Sequence, residues 1–147
     1  MDAELELELA KNFPFMRINE SSEEQKASGR IYDLYDSFFC DVGNGWYSVL
    51  YGLCQELTEV YEKAGIPVDI VPVQIKEKFG ELCFYFKTSN VNQSLNKAVT
   101  EIVDKWEEKS TTVCEQCGKN GELRSDLSWV LTLCDKCYEQ EKSKYVK

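Results

Sequence analysis

The sequence predicts an α+β fold: a small antiparallel β-hairpin packed by two amphipathic helices, then a C-terminal four-cysteine zinc knuckle and a short terminal helix. Three observations lead to it: two long segments with apolar residues at helical spacing, two short alternating segments, and two Cys-x-x-Cys pairs near the end of the 147-residue chain. A two-stranded sheet needs helices over one face. We therefore expect an α+β domain over residues 1–110, with an acidic N-terminal segment, and a zinc-knuckle module over residues 111–147 that packs on it.

The first residues, MDAELELELAK, support two interpretations. Leu5, Leu7 and Leu9 alternate as in a strand. However, Leu5, Leu9 and Phe13 also fit one helix face, and Ala, Leu and Glu favour helices. We predict a short helix that ends before Pro14. The polar stretch SSEEQKASG that follows is predicted to be an exposed loop.

A helix of five turns is predicted over residues 46–64. Its apolar residues recur at steps of three and four; they are Trp46, Leu50, Leu53, Leu57, Val60 and Ala64. Asn44 and Gly45 are the N-cap candidates, and Gly65 and Pro67 end the helix. We expect Trp46 and Leu53 to be buried.

A second helix is predicted from about residue 91 to residue 109, with Asn90 or Asn92 as its N-cap. Its apolar stripe consists of Leu95, Val99, Ile102, Val103 and Trp106. We expect Trp106 to be buried, and both long helices to lie against the same face of the hairpin. A short charged helix is predicted from about Cys134 onward.

Two strands are predicted between the long helices, with a turn near Gly80. The apolar positions that alternate with other residues are Val71, Val73 and Ile75 in the first strand and Leu82, Phe84 and Phe86 in the second. Pro72 cannot donate a backbone hydrogen bond, so the first strand is predicted to lie at a sheet edge near its start. We expect Phe84 to be buried.

Two Cys-x-x-Cys pairs, separated by sixteen residues, predict a metal site made of Cys114, Cys117, Cys134 and Cys137. This spacing is typical of zinc, and four thiolates complete a tetrahedron around one Zn²⁺ ion. Gly118 follows the first pair, where the chain turns sharply. A thioredoxin-like redox pair is the competing interpretation, but it requires a single pair at the start of a helix after a strand. A closed set of four sulfurs leaves no position for substrate, so the predicted zinc is structural.

Histidine is absent from the chain. A His-dependent catalytic triad, a Cys–His nucleophile pair and a His-ligated catalytic zinc therefore cannot form within it. The sequence also contains no P-loop, dinucleotide fingerprint or paired-carboxylate motif. These exclusions make an enzyme the least favoured class of function.

The formal net charge is −9, and the charge is unevenly distributed. The first 65 residues carry 13 acidic and 5 basic side chains, whereas residues 66–147 carry 13 and 12. This balance repels nucleic acid and favours basic partners, although solubility alone also explains it. Neither a secretory signal nor an apolar run long enough for a membrane span is visible. We therefore expect a cytoplasmic protein without a membrane partner.

Aromatic and acidic residues alternate in the segment IYDLYDSFFCDVGNGW, which has two interpretations. Phe38 and Phe39 are predicted to pack beneath the helix that starts at Trp46. The residues Tyr32, Asp33, Tyr35 and Asp36 are suited to a protein-binding surface, because tyrosine is enriched at interfaces. Packing in the core is the alternative for these rings. Cys40 and Cys54 are expected to be buried small apolar residues.

A basic, aromatic-bearing sheet surface is the alternative candidate site. Lys76 and Lys78 share one face of the first strand, and Tyr85 and Lys87 point outward from the second. Such a face could stack single-stranded bases, whereas lysines on a strand also simply prevent edge pairing. Arg124 could contact a phosphate, or equally pair with Glu122 or Asp126.

Three segments resemble a family of small uncharacterised proteins from bacterial and phage or prophage genomes. They are FFCDVGNGWYSVLYGLC, VQIKEKFGELCFYF, and CEQCGKNGELR with a following W-x-x-TLCDKC. The family has a glycine-rich GW turn that opens a helix, a KEKFGxLRFY-like hairpin and a Cys-rich knuckle. Cys83 replaces the family's arginine, which would remove a basic contact, and Cys137 stands where many relatives have histidine, which a thiolate replaces as a zinc ligand. The resemblance implies this fold and a phage-type origin, but no established activity.

Three classes of function follow. The first is a non-enzymatic, phage-type zinc-binding interaction protein that binds a host or phage protein; inhibition of a host defence system is one use that the resemblance and the charge suggest. The second is a nucleic-acid-associated zinc module that uses the basic hairpin face. The third is an enzyme, which the missing histidine and the closed zinc site disfavour.

Overall fold

The computed structural model describes residues 1–17 and 34–144 of the chain. Those residues form the predicted α+β fold, with five α-helices, a three-stranded sheet and a two-stranded sheet. The helices are α1 Ala3–Asn12, α2 Leu34–Phe38, α3 Tyr47–Ala64, α4 Gln93–Ser110 and α5 Asp135–Ser143. The strands are β1 Cys40–Asp41, β2 Val71–Lys78, β3 Glu81–Lys87, β4 Glu122–Arg124 and β5 Leu131–Leu133. The predicted loop SSEEQKASG lies outside the described residues.

The helix predictions are confirmed, but the N-cap of α3 is not. α1 ends at Asn12, before Pro14, and Gly65 ends α3 in the left-handed conformation at φ 73°. Asn92 caps α4, because its side chain accepts a hydrogen bond from the Leu95 backbone N–H at 3.1 Å. Asn44 instead lies in a 3₁₀ turn, and its side chain accepts a hydrogen bond from the Asp2 backbone N–H at 2.8 Å. The predicted cap therefore ties α1 to the turn that opens α3.

The predicted hairpin is confirmed, and its turn contains two residues. β2 and β3 pair antiparallel, with only Phe79 and Gly80 between them. Both turn residues have positive φ, 53° and 80°, as two-residue hairpin connections require for the strands to keep their twist. A register irregularity between Pro72 and Gln74 shifts the first half of β2. Pro72, rather than the predicted Val71 or Val73, is consequently the buried residue there.

A third strand was not predicted. β1 has two residues and pairs parallel with β2 at Ile75 and Lys76. Two residues are too few to show an alternating pattern, so no sequence signal marks them. Because β1 stops at this point, the start of β2 around Pro72 has β3 as its only strand neighbour among the described residues, which agrees with the predicted edge position.

The core lies between the hairpin and the long helices. Trp46 and Leu53 are fully buried, and Phe84 is 3% exposed, as predicted. Trp106 is only half-buried, and its ring lies against Gly52 of α3. A side chain at Gly52 would place its Cβ 2.2 Å from Cη2 of Trp106, so the glycine allows α3 and α4 to approach closely.

Side chains from flanking helices occupy both edges of the three-stranded sheet. On the β1 edge, Glu6 of α1 accepts a hydrogen bond from the Cys40 backbone N–H at 2.9 Å. On the β3 edge, Ser110 and Glu107 of α4 accept from the Leu82 and Phe84 backbone N–H groups at 2.9 and 2.8 Å. α4 therefore covers the edge of the hairpin and not only its face, which protects the sheet from edge-to-edge pairing. None of the helices in the described part of the chain is both long enough and apolar enough to cross a membrane.

Candidate metal centre and neighbouring surfaces

Each Cys-x-x-Cys pair lies on a tight turn beside the two-stranded sheet. After Cys114, the chain turns at Gly118, whose φ is 82° and whose N–H donates to the Cys114 carbonyl at 2.9 Å. The second pair opens α5: Cys134 is its N-cap, and its Sγ accepts a hydrogen bond from the Cys137 backbone N–H at 3.4 Å. The two turns face each other because β4 and β5 pair between them.

All four predicted ligands come together. Their Sγ atoms lie within 4.8 Å of one another, and those of Cys117 and Cys134 are 3.6 Å apart. Four thiolates about 2.3 Å from a tetrahedral Zn²⁺ ion would have edges of about 3.8 Å, whereas a disulfide needs about 2.05 Å. The four sulfurs are thus spaced to hold one metal ion. They form the only group of three or more Cys, Asp or Glu side chains with such spacing in the described residues.

The thiols differ in their environment. The hydrogen bond from the Cys137 N–H lowers the pKa of Cys134 to about 7, whereas burial raises the pKa of Cys137. Cys134 follows strand β5 and opens a helix, which is also the position that a redox-active pair would occupy. However, Cys134 lies beside Cys117, from the other pair, as part of a four-sulfur group. This arrangement favours metal binding over a two-thiol redox site.

The first cysteine turn is attached to the turn that opens α3. Glu115, which follows Cys114, accepts hydrogen bonds at its backbone carbonyl from Gly45 N–H at 2.7 Å and at its carboxylate from Gly43 N–H at 2.9 Å. Burial raises the pKa of this carboxyl group. Trp46 donates from its indole nitrogen to the Val113 carbonyl at 2.8 Å. These three bonds join the first cysteine turn to the main core.

Gly43 and Gly45 are needed because the backbone of the first cysteine turn lies so close to them. A Cβ at Gly45 would lie 2.1 Å from the Cys114 carbonyl oxygen, and one at Gly43 would lie 2.4 Å from the Glu115 carbonyl oxygen. Both obstructing atoms belong to the backbone, so they cannot move aside as a flexible side chain would. The first cysteine turn therefore packs directly on the GNGW segment. We call its three contacting residues, Gly43, Gly45 and Trp46, the seat of this turn.

Thr132 provides a second connection between the first cysteine turn and the larger part of the fold. Its hydroxyl donates to the Gly80 carbonyl at the tip of the β2–β3 hairpin at 2.6 Å, and its own carbonyl accepts from the Glu115 N–H at 3.0 Å. Thr132 is fully buried. A single strand of the small sheet thus joins the hairpin tip to the first cysteine turn.

Two of the four predicted protein-binding residues, Tyr35 and Asp36, lie in the described part of the chain, and neither is exposed at the surface. Tyr35 is 1% exposed, and its hydroxyl donates to the Met16 carbonyl at 3.0 Å. Asp36 pairs with Arg17 at 3.0 Å, and its side chain is 7% exposed. Both residues therefore stabilise the packing of α2, so the core alternative holds for them. Tyr32 and Asp33 lie outside the described residues.

The two phenylalanines that follow behave differently from each other. Phe39 is half-buried and packs edge-on against Tyr35, with ring centroids 5.9 Å apart. Phe38 was predicted to pack beneath α3 but is 61% exposed. The prediction failed for Phe38 because the five-residue helix α2 directs neighbouring side chains to different faces.

The residues of the basic alternative lie on the outward face of the hairpin but have acidic neighbours. The strand register places Lys76 beside Asp41 of β1, and Lys78 opposite Glu81 of β3. Tyr85 is 44% exposed and lies opposite Gln74, and Lys87 is exposed at the end of β3. Alternating signs of charge stabilise a sheet surface but make a poor track for a phosphate backbone.

Arg124 is occupied by acidic partners. Its guanidinium lies 2.7 Å from the Asp135 carboxylate and 3.9 Å from that of Glu122, and it stacks on the Tyr138 ring at 4.4 Å. Asp126, the other suggested partner, accepts a hydrogen bond from the Tyr138 hydroxyl instead. Arg124 therefore orders the surface around α5.

No sequence signal identified the residues that attach the first cysteine turn to the start of α3. Glu115 lies inside a Cys-x-x-Cys pair and gives no signal of its own, since an isolated glutamate is usually a solvated side chain. Gly45 is a candidate N-cap by its sequence position, and Gly43 carries no local signal of its own. A glycine pair beside a buried tryptophan is also a signal of close backbone approach.

Comparison with protein-family models, with curated proteins and with solved structures finds no match to this chain. The resemblance to phage-type proteins stays a prediction of the sequence motifs.

Proposed function

We propose that this chain is a non-enzymatic interaction protein in which Cys114, Cys117, Cys134 and Cys137 hold one structural Zn²⁺ ion. The observation that supports the metal is the convergence of four sulfurs within 4.8 Å. Tetrahedral sets of four sulfurs hold zinc or iron. The spacing of the two pairs is that of structural zinc sites, and we assign zinc on this ground.

A structural role follows from the ligand set and its attachment. Four thiolates fill a tetrahedral coordination sphere, so no position is left for water or substrate. The turn that carries Cys114 is bonded through Glu115 to Gly43 and Gly45, at the start of α3. Zinc binding would therefore stabilise both the small sheet and the turn on which it is seated.

We propose that the surface of the folded chain binds another protein. The net charge of −9 favours a partner with a basic surface and repels nucleic acid. With no histidine in the chain and a saturated metal, a catalytic role has little chemical support. The partner would be a host or phage protein, and inhibition of a host defence system is the use that the family resemblance suggests.

Two measurements test the proposal. Elemental analysis of the purified protein should give about one zinc per chain, and the zinc-loaded protein, immobilised, should capture a specific protein from a bacterial lysate. Iron in place of zinc, or no metal, would contradict the metal assignment. A capture profile identical to that of an immobilised acidic control protein would contradict the interaction role.

A further inference from the structure

Phe79, at the tip of the β2–β3 hairpin, combines two unfavourable properties. Its side chain is 71% exposed, and its φ is 53°, in the left-handed region that bulky residues avoid. Asparagine or glycine is the usual residue at such a turn position. Neither burial nor backbone geometry explains an aromatic residue here. Strained, exposed residues of this kind are often retained for a function.

Leu123 presents a second exposed apolar side chain beside the same turn. It belongs to β4 of the small sheet and is 52% exposed. Its Cδ1 lies 2.5 Å from where a Cβ of Gly80 would be, so it covers the glycine next to Phe79. The hydrogen bond from Thr132 to the Gly80 carbonyl fixes the small β4–β5 sheet to the tip of the β2–β3 hairpin. Because the surface is already assembled, a partner would not have to order it on binding.

The charges beside these apolar residues are negative on balance. Residues 77–81 and 122–124 carry three carboxylates and two cationic groups, those of Lys78 and Arg124, and the guanidinium of Arg124 is paired with Asp135 at 2.7 Å. Glu81 is exposed, and the Glu122 side chain is 79% exposed. The ammonium group of Lys78 lies over the Phe79 ring, 5.8 Å from its centroid. A ring that already attracts one cation, on a surface that also exposes Glu81 and Glu122, is complementary to further cationic side chains.

We propose that Phe79, Leu123, Glu81 and Glu122, together called the tip surface, form a docking site for a segment of a partner protein that carries a large apolar side chain flanked by lysine or arginine. This proposal rests on the interaction role proposed above and specifies its surface. The carboxylates disfavour a nucleic acid at this site, and the net charge disfavours a second copy of the chain.

Three short synthetic peptides provide the probes for an NMR titration of the zinc-loaded, ¹⁵N-labelled full chain. The basic probe alternates lysine with leucine, the acidic probe replaces each lysine with glutamate, and the polar probe replaces each leucine with serine. We expect the basic probe to shift the amide signals of residues 77–81 and 122–124, with an affinity that falls as salt is added. The acidic and polar probes, and a single-stranded oligonucleotide, should leave those signals unchanged.

Variants separate a docking role from a structural one. Phe79→Asn removes the ring and suits the positive φ, so the protein should melt at the same or a higher temperature while the basic probe binds roughly tenfold more weakly. Glu81→Lys combined with Glu122→Lys should weaken the basic probe and strengthen the acidic one. Val91→Ser is the matched control, because Val91 is an exposed apolar residue, 92% exposed, outside the tip surface. It should bind the basic probe as the wild type does.

Several outcomes would overturn the proposal: no shift with the basic probe, shifts spread over the whole surface, equal shifts with all three peptides, or equal losses in Phe79→Asn and Val91→Ser. Shifts of the same amides on raising the protein concentration alone would assign the surface to a second copy and also overturn it. If the wild type and Phe79→Asn capture the same lysate protein equally, the interaction role stands and the tip surface fails. If the basic probe binds as expected but no lysate protein is captured, the interaction role fails instead.

Discussion

The helical core and the four-cysteine module are held together in different ways. In the described residues, the core cluster that includes α3, α4 and the hairpin contains 20 buried residues. The cluster of the small sheet contains three, Cys114, Leu133 and Cys137, and two of these are candidate metal ligands. Apolar burial contributes roughly 25 cal/mol per Å², so it can stabilise the first region but not the second. A segment with so small an apolar core is the kind that a bound metal ion would stabilise.

The boundary between the two regions is nevertheless tightly bonded. Trp46 belongs to the apolar core through its ring and to the module through its bond to Val113. Gly45 meets the module backbone directly. We therefore expect changes at this boundary to affect both regions, and changes far from it to affect one.

Loss of the metal is the change with the largest expected effect. Cys114→Ser, or removal of zinc by a chelator, should lower the free energy of unfolding by several kcal/mol, because the energy of metal binding is also folding energy in such modules. Amide hydrogen exchange should show lost protection over residues 112–138 and retained protection in the middle of α3. Cys83→Ser, outside the cluster, is the matched control and should keep one zinc. A metal-free protein of undiminished stability would break the comparison between the two regions.

Substitution of Trp46 should have the next largest effect. Two variants separate its packing in the core from its hydrogen bond to the module. Trp46→Ala should cost about 4 kcal/mol, because it removes a large, fully buried ring. Trp46→Phe should cost about 1–2 kcal/mol, since it keeps much of the ring and leaves the Val113 carbonyl without its donor. Urea unfolding measures both values. Equal stability of the two variants would show that the contact with the module contributes most of the effect.

Gly45→Ala tests the seat of the first cysteine turn. The added methyl group would meet backbone atoms, so we expect a loss of about 2 kcal/mol and weaker zinc retention in a chelator competition. Gly65→Ala is the control: this glycine has φ 73° and no atoms within 4 Å of its would-be Cβ. It should lose about 1 kcal/mol through backbone strain alone and retain zinc normally. Equal zinc retention in both variants would mean that the seat does not support the metal site.

Glu107 takes no part in the hydrogen bonds described above between the two regions, and its effect should be the smallest. Burial raises the pKa of this carboxyl group, although it accepts the Phe84 N–H. A carboxyl group with a raised pKa in the folded state adds stability at low pH, and that contribution is lost as the pH rises from the unfolded value through the folded one. Glu107→Gln should therefore flatten the decline in stability above about pH 4.5. The exposed Glu108→Gln should not, and neither change should alter the zinc content.

Tyr35 and Asp36 show where sequence reasoning stops. An alternating aromatic and acidic segment is compatible with an interface or with a core, because the pattern does not specify what lies opposite. Arg17, the partner of Asp36, is 19 residues away in the chain. Only the fold brings the two together and turns an apparent surface charge into a nearly buried ion pair.

The sequence by itself determined the features that depend on neighbouring residues. Helical periodicity located α3 and α4, alternation and a turn signal near Gly80 located the hairpin, and cysteine spacing identified the four sulfurs. Tertiary structure alone decided the pairing of β1, the covered sheet edges, the seat of Glu115 on Gly43 and Gly45, and the placement of Leu123 beside Phe79. The physical reason is that periodicity and turn chemistry act within a few residues. Contacts between distant segments instead depend on how complete elements pack, which no local pattern records.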